Sequence, residues 1–136
     1  MILFCLLGLV FQQTNSDFVI ITAEATPIER MTRAQLRSLY LKRLDRLRGA
    51  RLTALQFKAE SPYQEAFERW LFGKHFDSTG HWIEERMRGG PHPPMRVSQR
   101  AQMLLYVARN PGFIGFLPRD QMQGMEGLNL KIVSLE

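Results

Sequence analysis

Apolar residues along this chain follow two alternating patterns, short uninterrupted runs and stripes with helical spacing. Phe18 to Ile21 is an apolar run rich in β-branched residues, which predicts a buried strand. Thr32 and Gln35 then form a capping-box pattern, so we expect a helix to begin at Arg33. The buried side of this helix should comprise Leu36, Leu39 and Tyr40.

The same order of strand and helix follows in the middle of the chain. The basic stretch Leu41 to Arg51 is expected to form a turn and loop, and the pattern of Leu52 to Phe57 predicts a strand. Ser61 is suited to cap the next helix, with Pro62 at its first position and Gln64 completing a second capping box. The apolar face of that helix comprises Tyr63, Phe67, Trp70 and Leu71.

Two further helices and two strands are predicted in the remainder of the chain. Asp77 or Ser78 should begin the first of these helices, and Ser98 should cap the second. The glycines and prolines of Gly89 to Pro94 predict a loop between them, and Phe113 to Leu117 predicts a strand. The other apolar positions are Trp82, Ile83 and Met87 in the first helix, Ala101, Leu104, Leu105 and Ala108 in the second, and Leu128, Leu130 and Ile132 in a final strand.

Strands that alternate with helices indicate an α/β domain, with a mainly parallel sheet and helices on both of its faces. A chain of 136 residues with 45% hydrophobic content suits one compact domain that buries its own core. Two lobes of ordinary size would need a longer chain.

Basic residues outnumber acidic ones, giving a formal charge of +5. This balance permits binding to small anions, nucleic acid or anionic membranes, but net charge alone informs only on solubility and non-specific association. The basic segment lacks interleaved aromatic residues and any nucleic-acid motif, so we favour solvated charge and expect no nucleic-acid partner. Its cations are Arg37, Lys42, Arg43, Arg46, Arg48 and Arg51.

The beginning of the chain has the pattern of a secretory signal. Ile2 to Phe11 is an apolar run too short to span a bilayer as a helix, and a polar stretch follows it. Thr14 and Ser16 provide small residues for a cut after Ser16. Residues 1–16 are therefore predicted to be a signal peptide and residues 17–136 an exported, periplasmic domain. The alternative is that the apolar run forms a first buried strand.

Few residues have the context of a catalytic or metal site. Cys5 is the only cysteine and would leave with the signal peptide, and Phe4 before it does not suit a lipoprotein attachment site. We therefore expect no stable membrane anchor. His75, His81 and His92 show no compact ligand spacing, so neither a metal nor a cofactor is predicted. No acid pair, Ser-His-Asp set or Gly-rich nucleotide loop stands out, which indicates a protein that is not an enzyme.

One segment resembles a known family. Tyr106 to Leu117 places Asn-Pro-Gly between a helical pattern and an apolar strand, and it resembles the V-A-x-N-P-G-x-I-G-Y segment of the phosphate-binding proteins that serve bacterial ABC transporters. Pro111 cannot continue a helix, and Gly112 can adopt a left-handed turn. Gly115 inside a strand marks a place where another group approaches closely.

Three more segments resemble the same family, in its order and spacing. They are Met31 to Leu41, Lys58 to Phe72, which resembles its Ser-Gly-Thr region, and Trp82 to Pro94. The resemblance implies a single lobe of a type 2 periplasmic-binding-protein-like fold, because nothing in the chain matches the family's N-terminal lobe. It also implies an exported solute-binding domain for phosphate or a related oxyanion, linked to an ABC transporter and working alone, as a homodimer or with another envelope protein.

The helix that begins after Ser61 is the candidate anion site. Its first backbone N–H groups and the positive end of its dipole favour an oxyanion. In the resemblance, Ser61 matches the family's Ser, whereas Pro62 and Tyr63 replace its Gly and Thr. The predicted ligand-binding groups are Ser61, the amides of Tyr63 and Gln64, and Lys58 as a source of positive charge.

Other replacements of the family's site residues favour a different interpretation of this helix start. Phe57 and Ala59 stand where the family has the Arg and Asp that help to hold phosphate, and Glu60 adds a negative charge. Ser61 would then be only a helix cap, worth about 1 kcal/mol. The alternative function is therefore a ligand-free interaction or structural module of the cell envelope that keeps the lobe without its anion site.

Overall fold

The computed structural model describes residues 17–136, so the predicted signal peptide and Cys5 lie outside the described residues. No helix within residues 17–136 is long and apolar enough to cross a bilayer. The strands are β1 (Phe18–Ala23), β2 (Arg30–Met31), β3 (Arg46–Leu47), β4 (Ala50–Arg51), β5 (Thr53–Phe57), β6 (Met95–Val97), β7 (Phe113–Pro118) and β8 (Leu130–Leu135). The helices are α1 (Arg33–Tyr40), α2 (Pro62–Phe72), α3 (Ser78–Met87) and α4 (Arg100–Arg109).

Six of the described strands form one sheet, in the order β2-β8-β1-β7-β5-β6, and β3 and β4 form a separate hairpin. Strand β1 runs antiparallel to both of its neighbours, β7 and β8. The other three pairings, β2 with β8, β5 with β6 and β5 with β7, are parallel. Five strands thus share one direction, which confirms the predicted α/β fold with a mainly parallel sheet.

Helices cover both faces of the sheet, and β7 shows this most directly. The Cβ of any residue replacing Gly115 would lie 2.6 Å from Sδ of Met103 on α4. The next residue, Phe116, stacks on Phe67 of α2 with ring centroids 3.6 Å apart and contacts Tyr40 of α1 at 6.0 Å. Successive residues of a strand point to opposite faces. Helix α4 therefore covers one face, and α1 and α2 cover the other.

Three predicted helix starts are confirmed. Thr32 and Gln35 form the capping box of α1, whose buried residues are Leu36, Leu39 and Tyr40 as expected. Ser61 caps α2, with Pro62 at the first helical position. Asp77 caps α3 by accepting a hydrogen bond from the Gly80 amide. These signals are local in sequence, which is why they can be recognised without knowledge of the fold.

The predicted cap of α4 is wrong, and its predicted apolar face is correct for Leu104 but wrong for Ala101 and Leu105. Gln99, rather than Ser98, is its N-cap residue. The buried residues of α4 are Met103, Leu104 and Val107, whereas Ala101 and Leu105 are exposed. Ala101 and Ala108 made a different face of the helix look apolar in the sequence. In the fold, Met103 and Val107 face the sheet because they fill the space next to Gly115.

The apolar positions of α3 and β8 also differ from expectation. No residue of α3 is buried, and Ile83 and Met87 are 45% and 81% exposed. In β8 the buried residues are Leu130 and Val133, and Ile132 is 47% exposed. Periodicity identified these elements, but it could not show that α3 packs only loosely against the rest of the lobe.

Four short strands were not predicted. Strand β2 lies just before α1, the expected loop between Leu41 and Arg51 contains the β3–β4 hairpin, and β6 follows directly after the expected Gly89–Pro94 loop. Each of these strands has only two or three residues, so none is long enough to show alternation.

The Asn-Pro-Gly turn connects α4 to β7 through a close backbone contact. Gly112 has φ = +96°, and a Cβ there would lie 2.7 Å from the carbonyl oxygen of Arg51. Its N–H donates to Oγ1 of the buried Thr26 at 2.8 Å, and its carbonyl accepts from the Thr53 amide at 2.9 Å. The hydroxyl of Thr22 donates to the Phe113 carbonyl at 2.8 Å. The turn is thereby joined to both β1 and β5.

Gly112→Ala should destabilise the protein by at least about 2 kcal/mol, because an L-residue is disfavoured at this φ and its Cβ meets backbone that cannot move aside. Urea unfolding measures the effect. Gly127→Ala is the matched control, since nothing lies within 4 Å of the added Cβ, and it should change the free energy of unfolding by less than about 0.5 kcal/mol. Equal effects of the two substitutions would contradict the close contact.

Tyr40 supplies a pH-dependent part of stability. Its hydroxyl is buried and donates to the Leu55 carbonyl at 2.8 Å, and burial raises the pKa of Tyr40 above its ordinary value. The stabilisation by neutral Tyr40 is therefore fully present below about pH 10, the ordinary tyrosine pKa, and is lost as the pH rises above it. Tyr40→Phe should cost about 1 kcal/mol at pH 7.

That difference in the free energy of unfolding between wild type and Tyr40→Phe should vanish or reverse by pH 11. At this pH, ionisation of Tyr40 stabilises the unfolded wild-type chain by about 1.4 kcal/mol, and the variant has no such group. Chemical denaturation at pH 7, 9, 10 and 11 measures it. Tyr106→Phe, at a 42% exposed position, should leave the pH dependence unchanged. A constant difference across this range would refute the assignment to Tyr40.

Candidate functional site

The candidate site lies at the carboxyl ends of β5 and β6, which meet at one edge of the sheet because the two strands are parallel. The Lys58 amide, just after β5, donates to the Val97 carbonyl at the end of β6 at 3.0 Å. Residues 58–61 then turn into α2, and the Ser61 amide donates to the Lys58 carbonyl at 2.9 Å. The amino end of α2 is therefore held at the edge where α/β folds commonly bind ligands.

Ser61 and the first amides of α2 already hydrogen-bond to each other. Oγ of Ser61 accepts from the Tyr63 amide at 3.1 Å, and the Ser61 carbonyl accepts from the Gln64 amide at 3.1 Å. An anion at this position would replace Ser61 Oγ as the acceptor for Tyr63. The Tyr63 ring packs edge-on against Phe57 with centroids 5.3 Å apart, which orients the start of the helix.

Gln64 does not complete a capping box, which corrects the prediction. Its side chain is buried, and Oε1 accepts from the Phe57 amide at 2.9 Å. Because a backbone amide fixes which end of the side chain accepts, Nε2 is the donor, and it donates to Gln56 Oε1 at 3.1 Å and Glu68 Oε2 at 2.7 Å. Gln64 thus ties α2 to the last residue of β5.

The charged residues near the start of α2 have mixed signs. Lys58 and Glu60 are both exposed, and neither side chain has an ion pair within residues 17–136. Phe57 is fully buried, so the position where the family has an Arg contributes to the core. Ala59 is exposed and carries no polar group. Lys58 is thus the cation closest in sequence to the Ser61 cap.

A groove of about 610 Å³ opens beside Gln64, between α2, α3 and the loop before β6. Carboxylates of Glu65, Glu68 and Asp77 contribute to its lining, together with the cations of Arg86 and Arg96. The sequence did not indicate this groove, because α2, α3 and the loop that form its walls have the polar pattern of ordinary surface. Its mixed charge does not by itself select an anion.

The three histidines are not brought together into a ligand set. His81 packs against the rings of Phe76 and Trp82, with centroids 5.8 and 4.6 Å away, and its Nε2 is buried without a hydrogen-bond partner among residues 17–136. His92 contributes to the groove, whereas His75 is exposed in the turn before α3. Within residues 17–136 no group of three or more His, Cys, Asp or Glu side chains is placed to hold a metal ion.

No protein-family model matches the chain, and no curated protein matches it in sequence. Solved structures are similar to it in fold. PstS from Borrelia burgdorferi superimposes with a TM-score of 0.70 at 13% identity, covering 88% of this chain and 47% of that one. An ABC-type phosphate transport receptor from Vibrio cholerae gives a TM-score of 0.64 at 16% identity, covering 88% of this chain and 46% of that one.

A third structure, from Clostridium perfringens, contains bound phosphate and gives a TM-score of 0.66 at 13% identity, covering 88% of this chain and 44% of that one. At such identities the likeness establishes the fold alone. This chain spans less than half the length of each of these structures.

Gln64→Leu should destabilise the protein by about 1–3 kcal/mol, because it leaves the buried Phe57 amide without an acceptor while keeping a side chain of similar size. Thermal and urea unfolding measure this cost. Gln123→Leu, at an exposed position, should change stability by less than about 0.5 kcal/mol. If both substitutions were neutral, the buried network around Gln64 would be wrong.

Proposed function

We propose that the chain is an exported solute-binding domain that takes phosphate or a related small oxyanion at the amino end of α2, and that it acts with ABC-type uptake in the periplasm. One observation carries this proposal: α2 begins at the carboxyl edge of two parallel strands, with the Ser61 hydroxyl beside the first amides. Helix starts favour anions through their first N–H groups and their dipole. In this chain the Tyr63 amide becomes available to an anion once its hydrogen bond to Ser61 Oγ opens.

The fold supports the same proposal. Structures similar to the chain include a phosphate transport receptor and a protein with bound phosphate. These are transport proteins, which favours a binding function over catalysis. The chain spans less than half of their length, so the second wall of an anion cleft would come from outside residues 17–136, for example from a second copy or from an envelope protein.

In the proposed site, Ser61, Tyr63, Gln64 and Lys58 have separate roles. The Ser61 hydroxyl and the Tyr63 amide would donate to the anion once their mutual hydrogen bond opens. The Gln64 amide lies in the first turn, and Lys58 adds positive charge from the exposed loop. The buried Gln64 side chain would position the helix rather than contact the ligand.

A second function, a ligand-free envelope interaction module, is favoured by the same hydrogen bonds. The Tyr63 and Gln64 amides already have acceptors within the chain. Glu60 and Glu65 add negative charge next to and within the first turn. The two functions therefore differ in one property, whether an added anion displaces Ser61 Oγ as the acceptor.

Phosphate at 10 mM should raise the melting temperature relative to chloride at equal ionic strength, because a ligand that binds only the folded chain stabilises it. Calorimetry gives the affinity, and sulfate tests selectivity. Lys58→Glu should weaken binding by about tenfold through charge reversal. Lys74→Glu makes the same charge change beyond the other end of α2 and should leave affinity unchanged.

Absence of any thermal shift or heat with 10 mM phosphate or sulfate would contradict the proposal and favour the ligand-free module. An equal loss of affinity in Lys58→Glu and Lys74→Glu would show non-specific attraction and would also count against a site at Ser61.

A further inference from the structure

Most of the net charge of the protein is concentrated in ten residues around the β3–β4 hairpin. Residues 42–51 contain five cations and one acid, Asp45, so their net charge is 5 − 1 = +4, compared with +5 for all 136 residues. The rest of the chain is thus almost neutral. We call the side chains of Lys42, Arg43, Arg46, Arg48 and Arg51 the basic surface.

Two of these cations occupy backbone conformations that disfavour them. Lys42 has φ = 64° and Arg48 has φ = 49°, and they are the only non-glycine residues with positive φ within residues 17–136. Glycine or asparagine is normally found at such positions, including the first position of a tight hairpin turn. Long cationic side chains therefore occupy positions where the backbone favours a different residue.

The hairpin also opposes like charges. Arg46 pairs directly with Arg51 across the two strands, so both side chains point to the same face, whereas Leu47 and Ala50 pack toward the core. Like charges opposite each other destabilise a strand pair. Asp45 relieves this in part through a mostly exposed ion pair with Arg51 at 3.5 Å.

The remaining cations of the basic surface are not neutralised by any group within residues 17–136. Arg48 donates to the Arg30 carbonyl at 2.8 Å, which uses one nitrogen without supplying a counter-charge. Lys42, Arg43 and Arg46 are exposed, and their side chains form no hydrogen bond or ion pair with residues 17–136.

The nearby carboxylates are engaged elsewhere. Glu136 pairs with Arg30 at 3.3 Å, and Glu29 pairs with Lys131 at 2.7 Å. Residues that break local rules together commonly mark a functional surface. Apart from the ion pair between Arg51 and Asp45, the basic surface thus lacks an anionic partner within the described residues.

A shallow groove of about 440 Å³ lies within this surface. Lys42, Arg43 and Arg51 contribute to its lining, together with the carboxylate of Asp45 and the largely buried Leu39 and Leu52. Cations therefore outnumber acids three to one around the groove, which favours an anionic group. The segment contains no aromatic residue on which a nucleic-acid base could stack.

We propose that the basic surface docks reversibly on an anionic phospholipid bilayer. An array of headgroup phosphates contacts several of these cations at once, which neither a single small anion nor an ordinary acidic side chain does. Cations close to such a bilayer each strengthen binding by about fivefold. The attraction is purely peripheral and requires no spanning helix.

Docking leaves the proposed anion site free. The hairpin leads into the amino end of β5, and Ser61 follows the carboxyl end of the same strand. The five residues of β5 separate the two regions by roughly 17 Å at 3.3 Å per residue. The membrane proposal therefore does not depend on phosphate binding, and either can fail without the other.

Co-sedimentation of the full chain with vesicles tests the proposal, with 30% phosphatidylglycerol in phosphatidylcholine compared with phosphatidylcholine alone. We expect binding to the anionic vesicles at 50 mM NaCl and its loss at 500 mM, since bilayer electrostatics are screened by salt. The neutral vesicles report any binding that does not depend on charge.

Lys42→Asn and Arg48→Asn separate a docking function from a structural one. Asparagine tolerates the left-handed conformation, so each variant should have a melting temperature equal to or above that of wild type. Each should nevertheless bind anionic vesicles about fivefold less well. Lys74→Asn removes an exposed lysine outside the basic surface and should bind like wild type.

Three outcomes would overturn the proposal. The first is equal binding to neutral and anionic vesicles, and the second is wild-type vesicle binding by both Lys42→Asn and Arg48→Asn. The third is tighter, salt-sensitive binding to duplex DNA than to anionic vesicles, which would assign the basic surface to nucleic acid instead.

Discussion

The fold depends on the close approach of the Asn-Pro-Gly turn to the backbone just before β5. Gly112 lies where a side chain would collide with the Arg51 carbonyl. Its N–H donates to the Thr26 hydroxyl, and its carbonyl accepts from the Thr53 amide. This places β7 in parallel register with β5 and antiparallel to β1. Since β7 is the strand between those two, its position decides how both halves of the sheet align.

The same strand also separates the two packed layers. Gly115 allows α4 to approach one face, and Phe116 anchors the aromatic cluster under α1 and α2 on the other. Dense packing on both faces makes the central strands rigid, whereas α3, with no buried residue, adds little to the core. The proposed anion site lies where these two regions meet, and of its residues only Gln64 also lines the groove between α2 and α3.

Capping and anion binding use the same chemistry at α2. A helix start must satisfy its first N–H groups, and either a serine hydroxyl or a bound anion can do this. Here Ser61 does so within the chain, and Gln64 holds the helix to β5 from beneath. The basic surface shows a different situation, because the side chains of Lys42, Arg43 and Arg46 have no partner within residues 17–136, and Lys42 and Arg48 occupy conformations that the backbone disfavours. One region has its polar groups satisfied internally, whereas the other leaves most of its charge without a counter-charge in the described residues.

Local signals in the sequence determined where most elements begin and that the domain is α/β. Thr32 with Gln35, Ser61 with Pro62, and Asp77 mark helix starts because capping depends only on residues within three positions of the cap. Tertiary packing decided the rest. It directed Gln64 into the core instead of a capping box, selected Met103 and Val107 as the buried side of α4, and placed Arg46 opposite Arg51. These outcomes depend on contacts between residues distant in sequence or on strands too short to show a period, so no local pattern carries them.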